Sequence, residues 1–346
     1  MLEDTIALGY AGTGKVNAGS ELPTCESRFK TRRHTARRGI LPKQAIGQSA
    51  GGLSFDERMG CPMQRERVSA DIYVFRSDLY LQVTAGVIAT EEGAIIVDTL
   101  PFPKETKALR DFAQRRCPQG VRYVINTHAH ADHSHGSCYF PEAELIGHRR
   151  AREYLVKYGE ANLTEAKRHS NDLATVELRL PDLVFDSLLI LRLGGKTITI
   201  KHAPGHSPDT STVRVKEDKV MFASDTILPV PYIDFLVGGS ITDLRRSLRD
   251  IEVAGLENVV QGHGEVLLRG EIRGTISSSL KYLDCVEGAV DLAIANNTPV
   301  ETLLKTSIEQ CGKSRIPLNG VVQQLHRSNL YYLYQTKTGA LPSKVH

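Results

Sequence analysis

The sequence predicts an α/β protein, an αββα sandwich of two mixed β-sheets packed face to face with helices outside, continued by a helical C-terminal extension. Strands and helices alternate between residues 72 and 261, the pattern of a layered α/β domain. Hairpin-like strand pairs stand at both ends of that alternation, so the sheets are expected to be mixed rather than wholly parallel. Apolar residues at helical spacing then dominate 271–336.

Residues 1–67 read as a basic, flexible extension. Gly, Ser, Arg and Pro are frequent there, apolar residues are sparse and no hydrophobic period persists. The basic run Arg28–Arg38 has no hydrophobic segment after it and, Phe29 apart, no interleaved aromatics, which argues against an export signal and a nucleic-acid patch. Gly9–Lys15 imitates a phosphate loop, but Val16 stands where a magnesium-binding hydroxyl belongs and no strand precedes it.

A catalytic domain is expected over 68–270. Ile72–Phe75, Leu79–Thr90 and Ala94–Asp98 are β-rich runs broken by Ser77-Asp78 and Glu91-Glu92-Gly93. Lys104–Arg116 places Ala108, Leu109, Phe112 and Ala113 on one helical face, and Cys117-Pro-Gln-Gly120 ends it. A strand over 121–126 follows and delivers a polar loop at its carboxyl end. Then come a short strand Glu144–Gly147, a helix from about Arg149, strands over 188–193, 196–202, 212–216 and 219–223, and a helix capped by Ser240 that carries Leu244, Leu248 and Ile251. Asn258–Gln261 reads as the last strand. The extension 271–346 is expected to pack on this domain, with a capping box at Thr298-Pro299-x-Glu301 and a final amphipathic helix from about Leu318 to Leu333.

Charge narrows the function. Residues 1–67 hold 11 Lys/Arg against 7 Asp/Glu, leaving 32 against 33 for the rest. A nearly neutral body does not supply the cationic surface that a nucleic-acid grip requires. A small-molecule substrate fits better. Six scattered cysteines without a C-x-x-C argue against a disulfide framework, and no apolar run is long enough to span a membrane. The expectation is a soluble cytoplasmic protein with no nucleic-acid or membrane partner.

The chemistry concentrates in Thr127–Gly136, which reads THAHADHSHG and holds histidines 128, 130, 133 and 135. On an extended segment leaving a strand, His128 and His130 project to one side, so two imidazoles can share a metal. Asp132 and His133 follow where the chain turns toward a helix and point elsewhere, toward a second metal. Imidazole nitrogen and carboxylate oxygen are a donor set that zinc favours. A catalytic metal site, a structural zinc knot and a surface histidine cluster are all compatible with the loop taken alone.

His128-x-His130-x-Asp132-His133 resembles the signature of the metallo-β-lactamase superfamily. Four further elements stand in that family's order: Asp98 in GAIIVDT, His206 in APGHSPDT, Asp225 in FASDT and His263 in QGHGE. The resemblance covers roughly 70–270 and implies the metallo-β-lactamase fold. It implies one metal held by His128, His130 and His206, a second by Asp132, His133 and His263, and Asp225 as the bridge. Two zinc ions are implied, with iron or manganese as substitutes.

Asp98 would orient the histidines of the metal loop from outside, and His135 would stand behind the ligands, at the pocket rim, or simply at the surface. An aspartate at 225 is similar to the glyoxalase II and lactonase branches, and NTHAHADHSHGSCYFPEAELIGH is similar to quinoprotein-relay-type or cyclase-like metallohydrolases. The activity implied is cleavage of an ester, lactone or thioester by a metal-bridging hydroxide, with Asp132 relaying a proton and β-lactam hydrolysis as a side activity. A phosphodiesterase or RNA-processing nuclease of the same fold and a mononuclear-iron persulfide dioxygenase are the alternatives. Ile227–Val237 is apolar and proline-stiffened. It is expected to form a pocket wall through Tyr232 and Phe235, a core-packing loop, or a homodimer contact.

Overall fold

A computed structural model describes residues 63–340; the expectations for 1–62, including the basic run and the Gly9–Lys15 segment, lie outside the described residues. Two sheets form the centre. The first has seven strands in chain order, β1 (Met63–Arg67), β2 (Ile72–Ser77), β3 (Thr84–Thr90), β4 (Gly93–Val97), β5 (Val121–Ile125), β6 (Glu144–His148) and β7 (Leu183–Phe185). β1 to β4 form an antiparallel meander, and β4 to β7 run parallel. The second sheet contains β8 (Leu188–Leu193), β9 (Lys196–His202), β10 (Ser211–Val215), β11 (Val220–Ser224), β12 (Asn258–Gln261) and β13 (Val266–Leu268), and only β11 and β12 pair parallel.

The two-residue alternation of strand side chains builds three layers from these sheets. Ile95, Val97, Ile72 and Val74 face the second sheet and meet Ile198, Ile200, Val213, Phe222 and Val260 in the middle of the sandwich. The alternate residues Ala94, Ile96, Val87 and Phe75 face outward, under Leu109 and Ala113 of the helix Pro103–Arg116. Met221, Ala223 and Val259 turn the other way on the second sheet. They sit beneath Leu244, Leu248 and Ile251 of the helix Ile241–Glu252 and the long helix Arg269–Ala295. Ser240 caps Ile241–Glu252 as expected, accepting from the Asp243 N–H at 3.2 Å.

The structure differs from the sequence reading in several places. Leu79–Thr90 is not one strand: Leu81 and Gln82 take left-handed backbone (φ 43° and 53°), and the strand begins at Thr84. β1 lies within the stretch read as extension; four of its five residues are exposed, so no buried alternation marked it. β7 and β13, three residues each, were too short to stand out. The helix Val300–Leu303 has Pro299, not Thr298, at its N-cap, with no side-chain cap. Leu318 and Asn319 have positive φ, so the last helix starts at Val322 and runs to Lys337. A disulfide joins Cys285 to Cys311, 26 residues apart. It ties the long helix to a 3-10 turn, a pairing the spacing of the cysteines did not reveal.

The helical tail reaches the loop after β11 through one side chain. Buried Asn329 accepts the Ile233 N–H at 3.1 Å and donates to Pro231 O at 2.7 Å and to the Tyr282 hydroxyl at 3.0 Å. Tyr332 is buried, and Tyr331 and Tyr334 pack on the same core. No described helix is long and apolar enough to cross a membrane.

Asn329→Ala leaves two buried backbone groups unpaired at about 1–3 kcal/mol each. The urea midpoint should fall with little change in slope, and an unchanged midpoint would contradict this bridge.

Candidate metal centre

Four strand ends meet at one rim of the sandwich. β4 leads into Asp98, β5 into the Asn126–His130 loop, β11 through Ser224 into Asp225 and β12 into Gly262-His263. Because β4 and β5 are parallel, as are β11 and β12, their carboxyl ends open on the same edge, where α/β sheets commonly place ligands. The bends there are strained: Asp98, Leu100 and Ser224 have φ of 58°, 64° and 53°. Non-glycine residues hold such angles only where the surroundings over-determine them.

The loops bring together all seven side chains expected as ligands. Donor atoms of His128, His130 and His206 fall within 4.8 Å of one another, and so do those of His128, His133 and Asp225 and those of Asp132, His133 and His263. Asp225 stands between the groups, with Oδ1 3.2 Å from His133 Nε2 and Oδ2 3.5 Å from His206 Nε2 and 3.7 Å from His263 Nε2. Asp132 Oδ2 lies 3.2 Å from His263 Nε2 and 3.8 Å from His133 Nε2. His128 and His133 have no exposed surface, whereas the side chains of His130 and Asp132 are 22% and 14% exposed. The cluster therefore opens at those two residues, and an open position separates a catalytic metal site from a closed structural one.

Each imidazole has one nitrogen committed outward, and the partner fixes the tautomer. His133 Nδ1–H donates to Asp98 Oδ2 at 2.8 Å, His206 Nδ1–H to Tyr232 O at 3.0 Å and His263 Nδ1–H to Leu81 O at 2.9 Å. His128 Nδ1 sits 3.2 Å from both the Thr127 and Ser224 hydroxyls, and Thr127 donates on to Asp98. The remaining nitrogens face inward. His130 Nδ1 and His206 Nε2 stand only 3.1 Å apart, close to the separation of about 3.3 Å expected for two nitrogens on one tetrahedral zinc. His128 Nε2, His133 Nε2 and Asp225 Oδ1 are buried without a properly aligned hydrogen bond. Ring nitrogens and carboxylate oxygens that converge on one spot, with the outer ring nitrogens already engaged, make a donor set that fits divalent metal ions.

The electrostatics agree. Burial opposes charge on His133 and His263, but the Asp132 and Asp225 carboxylates outweigh it and raise both. Burial likewise works against the Asp225 carboxylate, yet His133, His263 and His206 hold it well below the usual range. His128 is driven well down by burial and by His133 and His130. His135 is buried in the turn after the ligands, where burial, opposed by Asp132, lowers it to about 4 and keeps the ring neutral.

The wall loop divides its work. The half-buried Tyr232 ring lies 5.6 Å from His206, whereas Phe235 is buried in the core shared with the tail helices, the core-packing alternative. Its neighbour Leu236 is 55% exposed.

Several residues carry the site without standing out in the sequence. Asp209 accepts from the Ala129 N–H, between the two loop histidines, and from Ser207. Gly262 is needed for space, since a Cβ there would lie 1.9 Å from Asp225 Oδ1. Asp234 meets His130 at 3.3 Å, and its only sequence signal is a lone carboxylate in an apolar run. Gly205 spares a collision with the backbone of Leu244, not with the ligands.

Gly262→Ala should displace the Asp225 carboxylate and lower the metal bound per chain, measured by mass spectrometry after dialysis. Asp98→Asn, which tolerates the left-handed backbone, should weaken metal binding roughly 10–100-fold. Unaltered metal content in both variants would contradict this geometry.

The metallo-beta-lactamase superfamily model matches residues 79–263. The acyl-coenzyme A thioesterase MBLAC2 of Bos taurus is 25% identical over 153 residues, 40% of this chain and 55% of that protein. Its Homo sapiens counterpart is 25% identical over 155 residues with the same coverage. The chain thus matches about half the length of these curated relatives. Among solved structures, a metallo-beta-lactamase from Pontibacter korlensis superposes with a TM-score of 0.51 at 16% identity, over 62% of this chain and 97% of that one. The sec-alkylsulfatase Pisa1 from Pseudomonas sp. gives 0.62 at 13% identity, over 82% and 52%. At those identities the structures establish the fold alone. With more than half of its length matched by the family model, the chain belongs to the metallo-beta-lactamase superfamily.

Proposed function

We propose that the chain is a metal-dependent hydrolase that cleaves an ester, lactone or thioester, with thioesters foremost. The observation that carries this reading is the inward convergence of imidazole nitrogens and carboxylate oxygens, with the outer ring nitrogens already engaged. His128, His130 and His206 would hold one divalent ion and Asp132, His133 and His263 the other, with Asp225 between them. Zinc suits this nitrogen and oxygen donor set. Such ions supply Lewis-acid polarisation of a carbonyl and lower the pKa of water toward about 7.

The chain's own groups then position and deprotonate. Burial opposes the Asp132 charge, but His133 and His263 hold its carboxyl well below the usual range, so at neutral pH it is an acceptor. With Oδ2 turned to those histidines, Oδ1 is the atom left to take a proton and pass it to the leaving group. Tyr232 and exposed Leu236 offer an apolar side to an acyl chain beside this edge. The naming of the curated relatives as acyl-coenzyme A thioesterases supports a thioester over an ester or lactone, and the aspartate at 225 supports the same choice over a β-lactam.

Protein purified without chelator should carry about two zinc ions and hydrolyse acyl thioesters. Exhaustive demetallation should abolish turnover, and zinc should restore it. Asp225→Ala should lower turnover by about 100-fold or more. Full activity after demetallation, or in Asp225→Ala, would overturn the proposal.

A further inference from the structure

We propose that the β8 edge is a self-association surface whose occupant is β8 of a second copy of this chain, paired antiparallel about a two-fold axis at Ile190. β8 ends the second sheet and pairs with β9 alone. An unpaired sheet edge is a template for another strand, and proteins blunt it with charge, short length, proline or a bulge. Three of the four edges here follow that rule. β1 exposes Gln64, Arg65, Glu66 and Arg67, and β7 and β13 are three residues each. β8 does not: it is six residues long, reads LLILRL, and pairs with β9 in unbroken register.

That register fixes which backbone groups are free. Ser187 C=O accepts from the His202 N–H at 2.9 Å, and bonded and non-bonded pairs alternate along an antiparallel ladder. Leu189, Leu191 and Leu193 therefore bond to β9, whereas the N–H and C=O of Leu188, Ile190 and Arg192 point away from it. Thr197, opposite Arg192, has the matching phase, because its N–H and C=O turn to Glu217 and Lys216 instead. The same alternation sorts the side chains. Leu189 and Leu191 pack toward the core between the sheets, and Leu188 and Ile190 stand on the outer face, 51% and 50% exposed. Among the described residues, no strand pairs with the free side of β8.

A second copy of β8 answers each of these features. Opposed residues in an antiparallel pair share a face, so a two-fold axis sets a residue against its own counterpart. With Ile190 at the axis, Leu188 meets Arg192 of the partner subunit, and every free N–H and C=O of the three residues finds a partner. Leu189 then lies beside Leu191 of the partner subunit, which continues the apolar core across the join. The charges are complementary as well. Arg192 of the partner subunit falls diagonal to Asp186, whose side chain is 68% exposed, a spacing that a long side chain can bridge. No charge is set directly against a like charge.

Sedimentation velocity of the full-length chain over a range of concentrations should show monomer and dimer in equilibrium. Ile190→Lys sets two ammonium groups at the axis and should weaken dimerisation roughly tenfold or more. At concentrations where both proteins are monomeric, it should leave thermal stability unchanged, because the side chain faces outward. Ile190→Pro removes an N–H that β9 does not use and should weaken dimerisation likewise. Ile190→Cys puts thiols on residues whose Cα atoms would stand about 5.5 Å apart, within disulfide range. Under mild oxidation it should cross-link the dimer beyond the level of the unaltered chain, whereas Leu236→Cys at the exposed tip of the wall loop should not. A chain that stays monomeric at every concentration would overturn the inference. So would a dimer that Ile190→Lys and Ile190→Pro leave intact, or one that Leu236→Cys cross-links and Ile190→Cys does not. Should Ile190→Pro not fold, Ile190→Lys and the cross-link decide.

Discussion

The structure turns on one constraint: ring nitrogens of buried imidazoles are held facing one another at a spacing that suits a shared cation. His130 Nδ1 and His206 Nε2 approach to 3.1 Å because each ring is fixed by a hydrogen bond on its far side. Removing those far-side bonds would let the rings rotate apart or share protons. With the bonds in place, the arrangement is satisfied by positive charge at the centre. Metal affinity in such a site comes as much from the outer partners as from the ligands.

Those partners are mostly features of the fold. The Leu81 carbonyl reaches His263 because the chain between β2 and β3 turns through two left-handed residues. Buried Glu105 holds the start of that turn, accepting from Ser77 Oγ at 2.6 Å and from the Asp78 N–H at 3.1 Å. The Tyr232 carbonyl reaches His206 from a segment braced by Asn329 of the tail. The meander, the outer helix and the helical extension thus all contribute to the orientation of imidazoles that none of them carries. Backbone strain at Asp98, Leu100 and Ser224 gathers at the same rim, where neighbouring hydrogen bonds hold it in place.

Much of this was legible in the sequence. The two-sheet architecture followed from the alternation of strands and helices with hairpins at its ends, and the histidine-rich loop announced itself by composition. Elements with weak apolar periodicity escaped: β1 is mostly exposed, and β7 and β13 are three residues each. The turn at Leu81 read as strand because Leu79, Tyr80, Leu81 and Val83 are apolar, although backbone angle rather than hydropathy decides that position. Outer partners were the least visible class. Asp98 stood at a strand end in a known order, but Asp234 lies in an apolar loop and the Leu81 and Tyr232 contributions are carbonyls, which leave no mark on side-chain identity. Gly262 and Asn329 act through space and through hydrogen bonds distant in sequence, so only the folded chain displays them.

The most direct measurement is anomalous diffraction at the zinc absorption edge from crystals of the zinc-loaded protein. Two peaks are expected, one among His128, His130 and His206 and one among Asp132, His133 and His263, with the Asp225 carboxylate between them. Absence of density there, or zinc bound only at other surface groups, would contradict the account.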